Sequence, residues 1–265
     1  MSVTSPILVT GGTGTLGRHV VPLLHDAGHR VRILSRHPHD PADGIEYVVG
    51  DLSTGEGADH AVEGVDTIIH CAGSGRGDGD KARHLVRAAV GAGRPHVIYI
   101  SVVGAERVPV VSGVDRAAFG YFASKRAAET VIENSGLPWS TLRATQFHDL
   151  ILMVVRALAK LPVIPVPSGT RFQPVDTAEV AARLVELALG SPAGLVPDLA
   201  GPRAYPLGDL ARGYLRAAHK RSRPVLPMRM PGRAAKAIRA GANLPLVPGT
   251  GKRTWEDFLA DHLRK

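Results

Sequence analysis

At 265 residues, with 44% hydrophobic residues and 30 glycines, the chain has room for one large α/β domain or a core domain with a smaller appendage, and its composition suits a globular protein rich in tight turns. No apolar run reaches the ~18 residues that suggest a membrane span, and a lone Cys71 excludes an internal disulfide, as expected in a reducing cytoplasm. The net charge of +8 is unevenly placed: residues 201–265 hold 14 Lys+Arg against 4 Asp+Glu, whereas residues 1–200 hold 18 against 20.

The opening "MSVTSPILVTGG" enters a strand almost at once, with no basic region ahead of an apolar one, so no secretory signal is expected. A first buried strand is predicted over 6–10 and an amphipathic helix over 15–27, with Gly11, Gly14 and Gly17 spaced three apart at the junction. A phosphate-binding turn has this form. Glycine lets the backbone turn sharply and approach a pyrophosphate, and the exposed amides and positive helix end hold the anion. The second strand, 31–35, ends in "ILSRHPHD". An acidic residue at this place would hold a ribose 2′-hydroxyl and select NAD. Ser35 and Arg36 stand there instead and suit a 2′-phosphate, with Arg18 as a second cation. NADP(H) is therefore favoured and NAD(H) possible, the alternative for Arg36 being an ordinary surface position.

Strands follow at 47–50, 67–71, 96–101 and 140–143, with helices near 56–63, 81–92 and 119–135. Strand and helix in alternation predict a parallel, doubly wound sheet with helices on both faces. Asp51 reads as a turn residue and Cys71 as a small buried apolar one. Within the last helix, "YFASKRAAE" puts Tyr121 and Lys125 on one face, a turn apart. By spacing alone that is either an acid–base pair or a solvated helix surface.

Beyond Arg143 the pattern loosens. A helix over 147–160, a proline-rich strand over 162–167, a helix over 175–189 and a strand over 194–201 are predicted, then short helices among prolines. Asp176 and Glu179 fit a capping box, a structural role. The expected division is a core of residues 1–145 and a substrate-side cap of residues 146–265, in one folding unit. The basic final quarter lacks interleaved aromatics and any groove-reading motif, so neither specific nucleic-acid binding nor a membrane is expected.

The motifs "TGGTGTLG", "GDL", "HCAG", "YISVVGA", "YFASKRAAE" and "LPWSTLRATQFHD", spread in order over the first 150 residues, and the later "FQPVDTAEVA", resemble the short-chain dehydrogenase/reductase superfamily. The nearest likeness is to its atypical, NmrA-like and NAD(P)H-binding epimerase/dehydratase-related branch. The resemblance implies a Rossmann-type α/β fold with a small carboxy-terminal cap. It implies cofactor contacts from Gly11, Thr13, Gly14, Thr15, Leu16 and Gly17, from Ser35 and Arg36, from Asp51 and Leu52, and from Cys71, Ala72 and Gly73. Ser101 would lie beside the nicotinamide. Tyr121 would give its phenolic proton to a substrate carbonyl, and Lys125 would favour the phenolate, whose unperturbed pKa is near ~10, while also serving the nicotinamide ribose.

One departure stands out. The family's substrate-orienting serine or threonine falls a residue or two beyond the first serine after strand five, where this chain has Val102 and Val103. Ser101 takes that role or touches only the cofactor, and Gln146, Phe147 and His148 are the substrate-side candidates. His148 reads equally as a structural histidine. The expected activity is NADP(H)-dependent hydride transfer to or from a carbonyl, enone or quinone of a small to medium-sized, apolar substrate. The alternative is a non-catalytic dinucleotide-binding redox sensor, and epimerase or dehydratase chemistry is disfavoured by the short cap. No metal is expected. A cytoplasmic monomer or homodimer acting on a small molecule completes the reading.

Overall fold

A computed structural model describes residues 5–40 and 43–264. Its elements in chain order are β1 (Ile7–Thr10), α1 (Gly17–Asp26), β2 (Val31–Ser35), β3 (Ile45–Val49), α2 (Ala58–Val62), β4 (Thr67–His70), α3 (Asp78–Gly91), β5 (His96–Val102), α4 (Gly113–Glu133) and β6 (Trp139–Ala144). Then come α5 (His148–Leu158), β7 (Ile164–Pro167), β8 (Arg171–Phe172), α6 (Thr177–Leu189), β9 (Gly194–Leu195), β10 (Tyr205–Pro206), α7 (Leu207–Ala217), β11 (Val225–Met228), α8 (Arg233–Arg239) and α9 (Trp255–Leu263).

Seven strands form one sheet in the order β3-β2-β1-β4-β5-β6-β9. The ladders of β1 with β2 and β4, of β2 with β3, of β4 with β5 and of β6 with β9 all run parallel. Strand order reverses between β1 and β4. In an open parallel sheet, that reversal leaves a crevice outside the carboxyl ends of the strands, where dinucleotides bind. The glycine loop leaves β1 at this place, and Cys71–Ala72–Gly73 leaves β4 beside it.

The chain groups into two compact units built from interleaved segments. The first runs to Ser101 and resumes over Ser124–Arg143 and Ala178–Pro197; the second takes Val102–Ala123, Ala144–Thr177 and the chain from Asp198 onward. In the first unit, Leu8, Ile68, Val97 and Tyr99 of the sheet pack against Leu85 and Ala89 of α3 and Ala128 and Ile132 of α4. In the second unit, Ile151 and Val155 of α5, Leu210 and Tyr214 of α7, and Trp255 and Phe258 of α9 pack together, and so do Val102, Val108, Phe122, Ala234 and Ile238.

Local differences from the sequence pattern have identifiable causes. Helix α4 begins six residues earlier than 119 because Ser112 and Asp115 cap it reciprocally. The Asp115 N–H donates to Ser112 Oγ at 3.0 Å and the Ser112 N–H to Asp115 Oδ2 at 3.2 Å. The strand expected over 194–201 is reduced to two paired residues and an isolated bridge between Ala144 and Leu199, and Pro197 between them has no N–H for a ladder. Conversely β11, in the stretch read as short helices among prolines, is a strand that pairs in parallel with β7 from Val225 to Met228. A two-stranded ribbon is all edge, so its prolines cost no interior ladder bond. Among the described residues, no helix is long and apolar enough to cross a membrane.

Candidate active site

The loop after β1 is shaped by its glycines. Gly11 has φ +72°, and a Cβ there would meet the backbone of Cys71 and Ala72 at 2.9 Å. A Cβ on Gly17 would fall 2.3 Å from the Gly11 carbonyl and 2.4 Å from the Gly12 Cα, so only glycine lets α1 start against the loop. At Gly14 the space is open apart from the Gly11 oxygen at 3.2 Å. Thr13, Gly14 and Thr15 are exposed and Leu16 is buried. No side chain caps α1 and no acidic residue lies in its first turn. An open, uncapped cradle with a positive helix end fits a pyrophosphate. Arg18 Nε donates to the Thr13 carbonyl at 2.9 Å and so lies over the loop.

At the end of β2, Ser35 is buried, and its Oγ accepts the His37 N–H at 3.2 Å and lies 3.1 Å from His39 Nε2. The His39 ring stacks on Tyr47 with centroids 4.7 Å apart. Arg36 is exposed. The two histidines beside Ser35 were in the quoted sequence, but no spacing rule singles them out. Asp51 Oδ1 accepts the Ser53 N–H at 2.7 Å, which holds its carboxyl below the usual value, with Arg36 adding a smaller pull. Leu52 is buried, and its carbonyl lies 2.7 Å from His84 Nδ1.

The ends of β1 and β4 are tied by Thr10 Oγ1 and His70 Nδ1, 2.7 Å apart. Burial, helped by the Lys125 charge, drives the His70 pKa down to about 3, so the ring is neutral. Burial likewise pushes the Cys71 thiol up to about 12, which leaves it protonated and unreactive. The half-buried Cys71 and Ala72 and the exposed Gly73 form the turn after β4, with the Gly73 N–H bonded to the Cys71 carbonyl at 2.8 Å.

Lys125 is only 4% exposed. Its Nζ donates to the Ile100 carbonyl at 3.0 Å, lies 3.5 Å from Asp78 Oδ2, and sits 5.0 Å from the centre of the Tyr99 ring. Burial lowers its pKa, and Asp78 pulls it back up. Ser101 is buried at the end of β5, near Glu129. Glu129 takes two bonds of 2.8 Å from Arg143. Burial works against its carboxylate, yet the bonds and charge of Arg143 hold its pKa below the usual value. Sequence reasoning missed Asp78, Glu129 and Arg143. Their partners are remote in the chain and no motif links them.

Tyr121 lies on α4, four residues before Lys125, and is 40% exposed. Its ring meets that of Phe122 edge-on at 5.9 Å. Gln146 and Phe147 are half-buried just ahead of α5, and the Gln146 carbonyl accepts the Val175 N–H at 3.0 Å. Gln146 Oε1 is buried without a hydrogen-bond partner. His148 is placed differently. It has no exposed surface and stacks on Phe258 at 4.9 Å, with Trp255 at 5.9 Å. Burial drives its pKa down to about 4. Both of its ring nitrogens are buried without a hydrogen-bond partner. Among the described residues, no group of His, Cys, Asp and Glu is arranged to hold a metal ion.

Comparison with known proteins places this geometry in a family. Residues 11–188 match the family described as NAD(P)H-binding. A ceramide reductase of Caulobacter vibrioides is 31% identical over 93% of this chain and 82% of its own length. A (4-alkanoyl-5-oxo-2,5-dihydrofuran-3-yl)methyl phosphate reductase of Streptomyces griseus is 27% identical over 97% of both chains. Among solved structures, an NADPH-dependent quinone oxidoreductase from Escherichia coli in complex with NADPH superposes with a TM-score of 0.80, covering 98% of this chain and all of the other, at 19% identity. The chain belongs to the NAD(P)H-binding family, and its fold is the Rossmann-type fold that the resemblance implied.

Proposed function

We propose that this NAD(P)H-binding protein is an oxidoreductase that prefers NADP(H) and reduces a carbonyl, enone or quinone in an apolar substrate of small to medium size. The observation that carries the reading is Lys125: a cation enclosed in the dinucleotide-binding unit, on the helix that carries Tyr121 one turn earlier. Burying an ammonium is costly unless a function or a partner holds it there. Ser35 and an exposed Arg36, standing where a carboxylate at the end of β2 would select NAD, support the NADP(H) preference. The names of the Caulobacter and Streptomyces relatives, both reductases, support the direction.

When bound, the dinucleotide supplies a hydride. The chain's own part is to hold and to protonate. The amides of Thr13–Gly17 and the start of α1 bind the pyrophosphate, Arg36 and Ser35 take the 2′-phosphate, and Asp51 with Leu52 takes the adenine side. Lys125 holds the ribose hydroxyls. Tyr121 gives its phenolic proton to the substrate oxygen as negative charge develops there, and the Lys125 charge eases that transfer. Ser101 acts on the cofactor side, and Gln146 and Phe147 face the substrate.

The test is NADPH oxidation against a panel of ketones, enones and quinones, with cofactor binding measured separately. Tyr121→Phe keeps the ring and removes the proton, so binding should persist while turnover falls by about 10²–10⁴-fold. Undiminished turnover in that variant removes Tyr121 from the chemistry. No turnover of any panel member by the wild type, with tight NADPH binding, favours a dinucleotide-binding regulator instead.

A further inference from the structure

Lys125 shares its enclosure with a carboxylate that none of the dinucleotide-binding motifs contains. Asp78 opens α3 directly after Gly77, which is left-handed at φ 71°, and is 1% exposed. Each of its oxygens has an assigned place. Oδ1 accepts the Ser74 N–H at 3.1 Å and lies 3.6 Å from Lys81 Nζ, while Oδ2 faces Lys125 Nζ at 3.5 Å. The Asp78 N–H donates to Ser124 Oγ at 3.0 Å, which ties α3 to the residue just before Lys125. Space for the pair is left by Gly73: a Cβ there would lie 2.7 Å from Lys125 Nζ and 3.3 Å from Asp78 Oδ2. A helix-opening aspartate with only a capping duty belongs in solvent. This one is held from three sides and directed at a buried ammonium.

We propose that Asp78 is a positioning residue, which anchors the Lys125 ammonium and keeps it charged so that α4 carries a fixed cation one turn from Tyr121. This rests on the role given to Lys125 above. An ammonium removed from water loses its proton unless an opposite charge stays close. Among the described residues, the other groups acting on it are not carboxylates. His70 on β4 is neutral, Cys71 is protonated, Tyr99 on β5 offers its ring, and Lys81 on α3 carries a like charge. On its own helix, Glu129 is committed to Arg143. Asp78 is the carboxylate that offsets the burial, and Lys81 competes for it.

The experiment follows NADPH affinity and turnover over roughly pH 6 to 10 in wild type, Asp78→Asn, Asp78→Glu, Lys81→Met and Lys125→Met, with thermal melting as the control for folding. In wild type, both readouts should fall at the alkaline end as Lys125 loses its proton. Asp78→Asn should bring that fall toward neutral pH and lose roughly tenfold or more in NADPH affinity at the alkaline end, and Asp78→Glu should restore part of it. Lys81→Met removes the competing charge and should move the fall the other way, to higher pH. A folded Asp78→Asn protein with the wild-type pH profile overturns the proposal. Should Asp78→Asn fail to fold, an unmoved or lowered fall in Lys81→Met overturns it. Lys125→Met separates the two ideas: unchanged binding and turnover there defeats the role of Lys125 itself, whatever Asp78 does.

Discussion

Two buried histidines make the stability of this protein depend on pH well above the carboxylate range. His70 and His148 are 1% and 0% exposed, with folded pKa values driven down to about 3 and about 4 by burial. In the unfolded chain, a histidine titrates near ~6.5. As pH falls through that value, the unfolded state gains protons that the folded state refuses, so stability is lost with acid. Each histidine contributes a slope approaching about 1.4 kcal/mol per pH unit between its unfolded and folded values. Between roughly pH 7 and 5.5 the pair should cost about 2.5 kcal/mol, a large part of a typical total of about 5–15 kcal/mol. His96, also lowered by burial, acts in the same direction. Carboxylates with lowered values, such as Asp51 and Glu129, lose their contribution only below their unfolded range near ~4 and leave this window alone. Urea unfolding followed by circular dichroism at a series of pH values measures the slope. His148→Gln should flatten it by about half, since an amide does not titrate, even if the variant is less stable throughout. A stability that is constant between pH 7 and 5.5 would refute the enclosure of both rings.

Three further outcomes are expected. Arg36→Ala should weaken NADPH binding by about 1.5–3 kcal/mol and leave NADH binding nearly unchanged, read by titration with both cofactors; equal losses for the two would detach Arg36 from the 2′-phosphate. Gly17→Ala places a Cβ 2.3 Å from the Gly11 carbonyl, so cofactor affinity should collapse while β2, β3 and the rest of the sheet persist by circular dichroism. Arg143→Met leaves the buried Glu129 carboxylate with the Arg126 contact at 3.0 Å and should destabilise the fold by about 1.5–3 kcal/mol in chemical denaturation, with partial recovery in the double variant carrying Glu129→Gln.

The parts that were legible in the sequence are those set by local backbone geometry. Short continuous apolar runs and amphipathic stretches mark the six strands of the dinucleotide-binding half and the helices between them. Gly11 and Gly17 announce their turn because only residues without a Cβ tolerate the contacts found there. The one-turn spacing of Tyr121 and Lys125 needs nothing beyond a helix. What the tertiary structure decided depends on partners far apart in the chain. Asp78 meets Lys125 across 47 positions, and Glu129 meets Arg143 across two elements that the pattern orders but does not orient. His148, beside Gln146 and Phe147 in the sequence, is carried into an aromatic cluster by α9, more than a hundred residues later. The interleaved division into two units likewise follows from which segments pack together. Burial and pairing of charges are properties of that packing: a side chain's neighbours in space set the desolvation it suffers and the charges that offset it, and one-dimensional spacing holds neither.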